Sequence, residues 1–221
     1  MEEKLVANIH AKGVMTRLLL TLPATLLAVA VLSAAPDFKS VWKSPDAEQV
    51  SFAGKKVAAL VITQDDSLRV SGEESLVTEL TARGLQAVAT YRIAPKEELQ
   101  SADRARGWFE KANVEGVIAL RPVSSEKRIS YNDSLWLSPS YNTFWGYYGY
   151  GYSSVVVIGS PARDTVITVE TLIFSVPRNQ LMWAAVSETR NPKTLQKFVE
   201  DLVKESVKEL HKQGLARNLP K

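Results

Sequence analysis

Two adjacent carboxylates, Asp65 and Asp66, are the residues of this sequence whose types and spacing come closest to a catalytic site. They follow the apolar run 57–62, and ligand sites in open α/β sheets lie at the carboxyl ends of strands. A carboxylate pair at such an edge can hold a metal ion or act as a general acid and base. The same side chains can instead cap a helix, because an aspartate accepts hydrogen bonds from the free N–H groups of a first turn.

Histidine and cysteine add little further chemistry. The chain contains two histidines and no cysteine, which excludes disulfide and thiolate chemistry. His10 lies in the N-terminal leader. His211 falls in the last turn of a predicted helix, where the helix dipole favours a cation. We therefore predict no metal, no cofactor and no catalytic residue, with the aspartate pair as the alternative.

A nearly uncharged stretch, residues 136–152, is crowded with aromatic rings and is called the aromatic segment below. It holds two Trp and five Tyr, interrupted by three Gly. Tyr and Trp give a large contact area at a small cost in side-chain entropy, and they also settle at membrane interfaces. We predict an exposed contact loop for protein, glycan or lipid headgroups. The alternative is a hairpin extension whose rings pack on each other and on the domain. The candidate binding residues are Trp136, Tyr141, Phe144, Trp145, Tyr147, Tyr148, Tyr150 and Tyr152.

The elements that must position these residues alternate in the first half of the chain. The run 57–62 is continuously apolar and suits a strand buried on both faces. A helix then begins at Asp65 or Asp66 and ends at Gly84. A second strand is predicted over 85–93, a helix over about 99–112, and a third strand from Gly116. Two βαβ units result, with right-handed crossovers.

The second half predicts strands without intervening helices, followed by one strong helix. Strands over 154–158, 165–174 and 181–189 form an antiparallel meander, with a turn at 177–180 in which Asn179 can take a positive φ. The last helix begins at Asn191 as N-cap with Pro192 at its first position. Its apolar stripe must cover a sheet face; it contains Leu195, Phe198, Val199, Leu202, Val203, Val207 and Leu210.

An apolar run at 18–35, preceded by Arg17, has the pattern of an export signal. Cleavage after Ala30 is the favoured processing, and an uncleaved anchor is the alternative. The last four residues, Leu32 to Ala35, resemble a bacterial lipobox, but Ala35 stands where the lipid-bearing Cys would be. We therefore predict a periplasmic or envelope-associated protein without a lipid anchor.

The formal net charge of +3 is small for a chain of 221 residues. Nucleic-acid binding would require basic residues clustered on one face, so no nucleic-acid partner is predicted.

Several stretches together resemble the uncharacterised bacterial envelope lipoproteins of the domain-of-unknown-function type. They are 57–62, 77–84, 147–152, Leu181-Met182-Trp183 and 204–215. The first βαβ half also resembles, more faintly, the amino-terminal domain of the translocation protein TolB. These resemblances imply protein binding in the periplasm, and they carry over no catalytic residue.

We expect an α/β fold with α+β character: a single domain with a mixed sheet, formed by βαβαβ, an antiparallel meander and a C-terminal amphipathic helix. The expected function is a non-catalytic binding or assembly accessory that contacts an envelope protein or glycan through the aromatic segment. We also expect a possible contact with the membrane, made by the signal segment or by the aromatic segment. The alternative is a small hydrolase or metal-dependent enzyme using Asp65 and Asp66. The expected boundaries are a leader at 1–35, a tether at 36–54, the domain at 55–215 and a tail at 216–221.

Overall fold

A computed structural model of the protein describes residues 35–123, 129–155 and 166–213. Within these ranges the chain builds one six-stranded sheet, in the order β1-β6-β5-β4-β2-β3. β2 runs parallel to β3 and β4, and the remaining pairs are antiparallel. The strands are β1 (Asp37–Lys43), β2 (Lys56–Val61), β3 (Gln86–Ala89), β4 (Gly116–Val123), β5 (Val166–Ser175) and β6 (Gln180–Arg190). The predicted α/β fold with a mixed sheet is confirmed.

Helices cover both faces of this sheet. The long ones are α1 (Asp66–Ala82), α4 (Ala102–Lys111), α7 (Phe144–Ser153) and α8 (Leu195–Lys212). The short ones, of four residues each, are α2 (Thr90–Ile93), α3 (Lys96–Leu99), α5 (Asp133–Trp136) and α6 (Pro139–Asn142). The predicted strand at 85–93 is thus too long, because the chain turns into α2 at Thr90.

Capping residues explain where α1 begins and ends. The Asp65 side chain accepts hydrogen bonds from the N–H groups of Ser67 and Leu68, at 2.9 and 3.0 Å. At the other end Gly84 takes a φ of 78°, a left-handed conformation that suits a residue without Cβ. Both predicted ends are confirmed.

One face of the sheet packs against α1 and α8. The apolar stripe of α8 packs there as predicted: Leu202 is fully buried, and Leu195 and Val207 are partly buried. The start of α8 differs from the prediction. Thr194, not Asn191, is the N-cap, and its side chain accepts from the N–H of Lys197. Asn191 instead has a φ of 48° at the end of β6.

The expected tether at 36–54 is wrong, because residues 37–43 form the edge strand β1. This strand pairs antiparallel with β6, from Asp37 opposite Glu188 to Lys43 opposite Trp183. The Phe38 ring also contacts the Trp183 ring, with centroids 6.4 Å apart.

The antiparallel meander is formed by β4, β5 and β6, with β1 added at the free edge of β6, and the predicted turn is confirmed by a φ of 48° at Asn179. The predicted strand at 154–158 fails at Ser154, which closes α7, and its residues 156–158 lie outside the described ranges. The leader before Ala35 and the tail at 216–221 also lie outside them.

Candidate functional site

The aromatic segment begins at the last residue of α5 and then forms α6 and nearly all of α7, so the prediction of an exposed loop is wrong. Its rings lie on the sheet face opposite α1 and α8, in a core cluster shared with Leu60 and Phe174. Six of the eight candidate residues are buried, namely Trp136, Tyr141, Phe144, Trp145, Tyr147 and Tyr148. Tyr150 and Tyr152 are partly buried and pack against the same cluster. The rings therefore pack on the domain, as the alternative interpretation held.

Local hydrogen bonds explain why this stretch is helical. The Thr143 side chain caps α7 by accepting from the N–H of Gly146 at 3.1 Å. The Asn179 side chain, from the β5–β6 turn, accepts from the N–H of Trp145 at 3.1 Å. Pro139 stands at the start of α6, where a missing N–H costs nothing.

Beneath these helices lies a buried ion pair between Arg121 on β4 and Glu170 on β5. The Arg121 Nη2 and Glu170 Oε2 atoms are 2.7 Å apart, and both side chains are almost fully buried. The carboxylate also accepts from three tyrosine hydroxyls, those of Tyr131, Tyr141 and Tyr147, at 2.9–3.0 Å. The charged groups thus have protein partners in place of water.

The polar groups of this network are hydrogen-bonded to one another, and the geometry gives no sign of a catalytic role. Burial raises the pKa of Tyr141 and Tyr147, and the Glu170 charge raises it further, so both phenols stay protonated as donors. Burial alone would lower the pKa of Arg121, but the neighbouring Tyr147 and Glu170 raise it overall. Because the Glu170 carboxylate is fully engaged, we assign the network to the stability of the core.

The aspartate pair at the end of β2 is engaged in local contacts. Asp65 is the N-cap of α1, which is the capping role the sequence allowed. Asp66 forms ion pairs with Lys96 and with Arg69, whose Nη2 lies 3.6 Å from the carboxylate. The hydrogen bond from Lys96 lowers the pKa of Asp66. Across the described ranges, no group of three or more His, Cys, Asp or Glu is arranged to hold a metal ion.

A polar cleft opens at this same edge of the sheet, with a volume of about 460 Å³. Its charged walls are Asp66, Arg69 and Lys96, and Tyr152 closes one side. The other lining residues are Thr63, Gln64, Leu99, Gln100 and Val155. The sequence predicted a ligand site at this edge but named only its carboxylates. The cationic residues come from the next turn of α1 and from α3, so only the fold brings them together.

Two buried polar atoms of this polar cleft have no hydrogen-bond partner among the described residues. They are the Nη1 of Arg69 and the hydroxyl of Tyr152. Arg69 exposes only 7% of its surface. Burial raises the pKa of Tyr152 to about 12, so its hydroxyl is a proton donor at neutral pH. The Tyr148 hydroxyl is an electrostatic neighbour of Tyr152, so the unpaired cationic donor of the polar cleft in the described residues is Arg69.

Behind Arg69 lies a second buried carboxylate, Glu73. It accepts hydrogen bonds from the Thr90 hydroxyl and from the N–H groups of Val61 and Tyr91, the latter two at 3.3 and 3.0 Å. Burial raises the pKa of Glu73, although these bonds and the Arg69 charge oppose the rise. Glu73 ties α1 to β2 and α2 and holds the turn that carries Arg69.

Two remaining observations concern the other sequence predictions. His211 is exposed in the last turn of α8, as expected. Within the described residues, no helix is both long enough and apolar enough to cross a membrane.

Comparisons with known proteins give only a distant structural similarity. No family model and no curated protein matches the sequence. Among solved structures, a PelC dodecamer from Paraburkholderia phytofirmans is 14% identical, with a TM-score of 0.43; the match covers 79% of this chain and 96% of that one. A point variant of the same protein is 13% identical, with 75% and 96% coverage and a TM-score of 0.40. Similarity of this size assigns neither a family nor a function to the chain.

Proposed function

We propose that this protein is a non-catalytic binding or assembly accessory of the bacterial envelope, and that the polar cleft at the end of β2 binds a small anion. The observation that supports this proposal is Arg69, a buried cation that lines the polar cleft and whose Nη1 has no hydrogen-bond partner among the described residues. The proposal replaces the aromatic segment as the contact site, because most of that segment's rings are in the core.

The energetics of Arg69 favour an anionic occupant. A buried donor without a partner costs about 1–3 kcal/mol, and more when the group is charged. The Asp66 carboxylate lies 3.6 Å from Nη2, too long for a hydrogen bond, and it also pairs with Lys96. A carboxylate or phosphate oxygen in the polar cleft would accept from Nη1 and relieve this cost. Charge-assisted bonds of this kind are the stronger hydrogen bonds of proteins.

The net charge and the volume of the polar cleft both suit a small anion. Two cations and one carboxylate line the polar cleft, which leaves a net charge of +1. Tyr152 adds a neutral donor, and α1 directs the positive end of its dipole toward the same edge. The volume of about 460 Å³ falls within the range of about 300–1,000 Å³ typical of small-molecule sites.

The alternative, a hydrolase using Asp65 and Asp66, is less favoured by the geometry. A general base must have a lone pair free for the proton it removes. Oδ1 of Asp65 accepts hydrogen bonds from two backbone N–H groups, and the Asp66 carboxylate forms ion pairs with two cations. p-Nitrophenyl phosphate provides the test. We expect no hydrolysis above the buffer rate, and a rate that Asp66→Asn abolishes would establish the enzyme instead.

The envelope location rests on the export pattern at 18–35. We expect the protein in the osmotic-shock or envelope fraction of a Gram-negative host, and in the cytoplasm when residues 1–30 are deleted. A cytoplasmic full-length protein would contradict the location without affecting the anion site.

Phosphate-dependent thermal stability tests the anion site directly. Sodium phosphate is compared with sodium chloride at equal ionic strength. At a hundredfold excess over Kd, a ligand adds about 2.7 kcal/mol. Since a domain of this size gains about 2–4 °C per kcal/mol, we expect Tm to rise by about 5–10 °C. Acetate is the parallel carboxylate probe.

Arg69→Met should abolish this rise, and Arg104→Met is the matched control. Arg104 lies on α4 with about half of its side chain exposed and only a 3.8 Å contact to Glu98. If Arg69→Met does not fold, Lys96→Met removes the exposed cation of the polar cleft and should reduce the rise. The proposal fails if neither anion exceeds chloride in the wild type, or if Arg69→Met and Lys96→Met both respond as the wild type does.

A further inference from the structure

A second cavity, apolar and separate from the polar cleft, lies between the sheet and the helices α1 and α8. Its volume is about 100 Å³. Most of its wall is aliphatic, with Leu76 and Leu80 on α1, Leu202 and Val203 on α8, and Ile118 and Ile173 on the sheet. It shares no lining residue with the polar cleft. We call it the interlayer cavity.

Three polar atoms of residues that line the interlayer cavity have no hydrogen-bond partner in the described part of the chain. They are Thr171 Oγ1, Trp183 Nε1 and Ser206 Oγ. All three residues are more than nine-tenths buried. Buried polar groups in folded proteins normally have a protein or water partner, so three such atoms around one apolar space need an explanation.

The strand register places these atoms around a common space. Thr171 pairs with Ala185, and Ile173 pairs with Trp183, so Thr171 and Trp183 are diagonal neighbours on one face of the sheet. Ser206 comes from α8, which packs over this face. The interlayer cavity therefore has polar groups on both its sheet wall and its helix wall, within otherwise apolar surroundings.

These features define the occupant. An indole N–H is a donor only, so the group beside Trp183 must be an acceptor. The rest of the occupant must be apolar, because most of the remaining wall is aliphatic. The volume is about two-thirds of the roughly 150 Å³ apolar cavity that holds the six carbons of a benzene ring. The interlayer cavity therefore has room for an alkyl segment of about four carbons.

We propose that the interlayer cavity binds one short acyl group of about four carbons, with its carboxyl or ester oxygen accepting from Trp183 Nε1 and from the hydroxyls of Thr171 or Ser206. Arg83 lines the same cavity, but its Nη1 donates to the carboxylate and the carbonyl of Glu79. Its charge is thus already paired, and the neutral donors hold the polar end. A free short-chain acid and its ester offer the same chemistry.

Calorimetric titration of the full chain with butanoic acid, its methyl ester and pentane tests this proposal. We expect the acid and the ester to bind, and the alkane to bind at least tenfold more weakly because it lacks the acceptor oxygen.

Ser206→Leu is the decisive variant, because it removes a hydroxyl and fills the interlayer cavity. It should weaken the binding of the acid at least tenfold and leave the phosphate response of the polar cleft unchanged. Lys204→Leu places the same side chain on an exposed position of α8 and should bind as the wild type does. If Ser206→Leu does not fold, Thr171→Val keeps the shape and removes only a hydroxyl, and it should also weaken binding.

Two results would overturn the proposal. One is the absence of binding by either the acid or the ester, which would leave water as the partner of the three polar atoms. The other is equal affinity for the acid in the wild type and in every folded variant of Ser206 and Thr171, which would place the acyl group elsewhere on the protein.

Discussion

Alanine substitutions at the three glycines of α7 should have effects of opposite sign, because the helix meets different surroundings at each position. A Cβ added at Gly151 would lie 2.7 Å from Cδ1 of Ile62 on the sheet. At Gly146 it would lie 2.2 Å from the carbonyl oxygen of Pro139 and 2.6 Å from Oγ1 of Thr143. At Gly149 it would meet nothing within 4 Å.

The magnitudes combine helix propensity with overpacking. Replacing glycine by alanine inside a helix contributes up to about 1 kcal/mol of stability, and this is the expected gain for Gly149→Ala. Overpacking a filled core costs about 1–3 kcal/mol. Ile62 is buried and cannot move into solvent, so Gly151→Ala should lose up to about 2 kcal/mol net once the propensity gain is subtracted. Gly146→Ala should lose more, because its clash is with backbone that must shift.

Urea denaturation followed by far-UV circular dichroism measures the three differences in unfolding free energy. With about 2–4 °C per kcal/mol, the melting temperature should rise for Gly149→Ala and fall for the other two variants. A gain for Gly151→Ala equal to that for Gly149→Ala would refute the reasoning. It would mean that α7 does not lie against Ile62 and that the aromatic segment is free to make external contacts.

Two further substitutions test the two layers of the core. Leu202→Ala on α8 should cost about 2–5 kcal/mol in urea denaturation, because Leu202 is fully buried, whereas Lys204→Ala on the exposed side of α8 should stay within about 0.5 kcal/mol. Equal losses would mean that the stripe of α8 does not face the sheet. Glu170→Gln should cost about 3–5 kcal/mol, because it leaves Arg121 buried without its counter-charge. Glu188→Gln, at a partly exposed pair with Lys39, should cost under about 1 kcal/mol, and a similar loss for both glutamates would contradict the role of the network.

Elements whose signals are local could be predicted from the sequence. β2 has a continuous apolar run because both of its faces are covered. The start and the end of α1 follow from Asp65 and Gly84, which act within a few residues of their own positions. The stripe of α8 shows which side is buried even though the first turn was misplaced by a few residues.

Elements that depend on distant partners could not be predicted. Residues 37–43 carry no strand signal strong enough to stand alone, and they become β1 only because β6 offers a free edge. The sequence predicted the position of the polar cleft at the end of β2, but it did not predict the cationic residues that line it. Its unpaired Arg69 Nη1 is a property of three-dimensional packing, and no spacing in the sequence reveals it.

The aromatic segment was predicted as a contact loop because its Tyr and Trp rings are interrupted by three glycines. Two local signals nevertheless favour a helix, namely Thr143 as a cap and the spacing of Phe144, Tyr148 and Tyr152 at every fourth residue. Tyr148 and Tyr152 do meet on one side of α7, with ring centroids 5.0 Å apart. Contacts with the sheet thus outweigh weak intrinsic helix propensity.

The composition of the aromatic segment follows from the two charges that it covers. A sheet whose central strands are apolar on both sides needs a second covering layer, because α1 and α8 cover only one face. On the other face the layer must also replace water around Arg121 and Glu170. Tyr141 and Tyr147 lie next to the ion pair and donate their hydroxyls to Glu170. Phe144, by contrast, packs against other aromatic rings and has no hydroxyl. The abundance of tyrosine is therefore explained by the hydrogen bonds of the core, and the candidate ligand sites are the two cavities that hold unpaired polar groups within the described ranges.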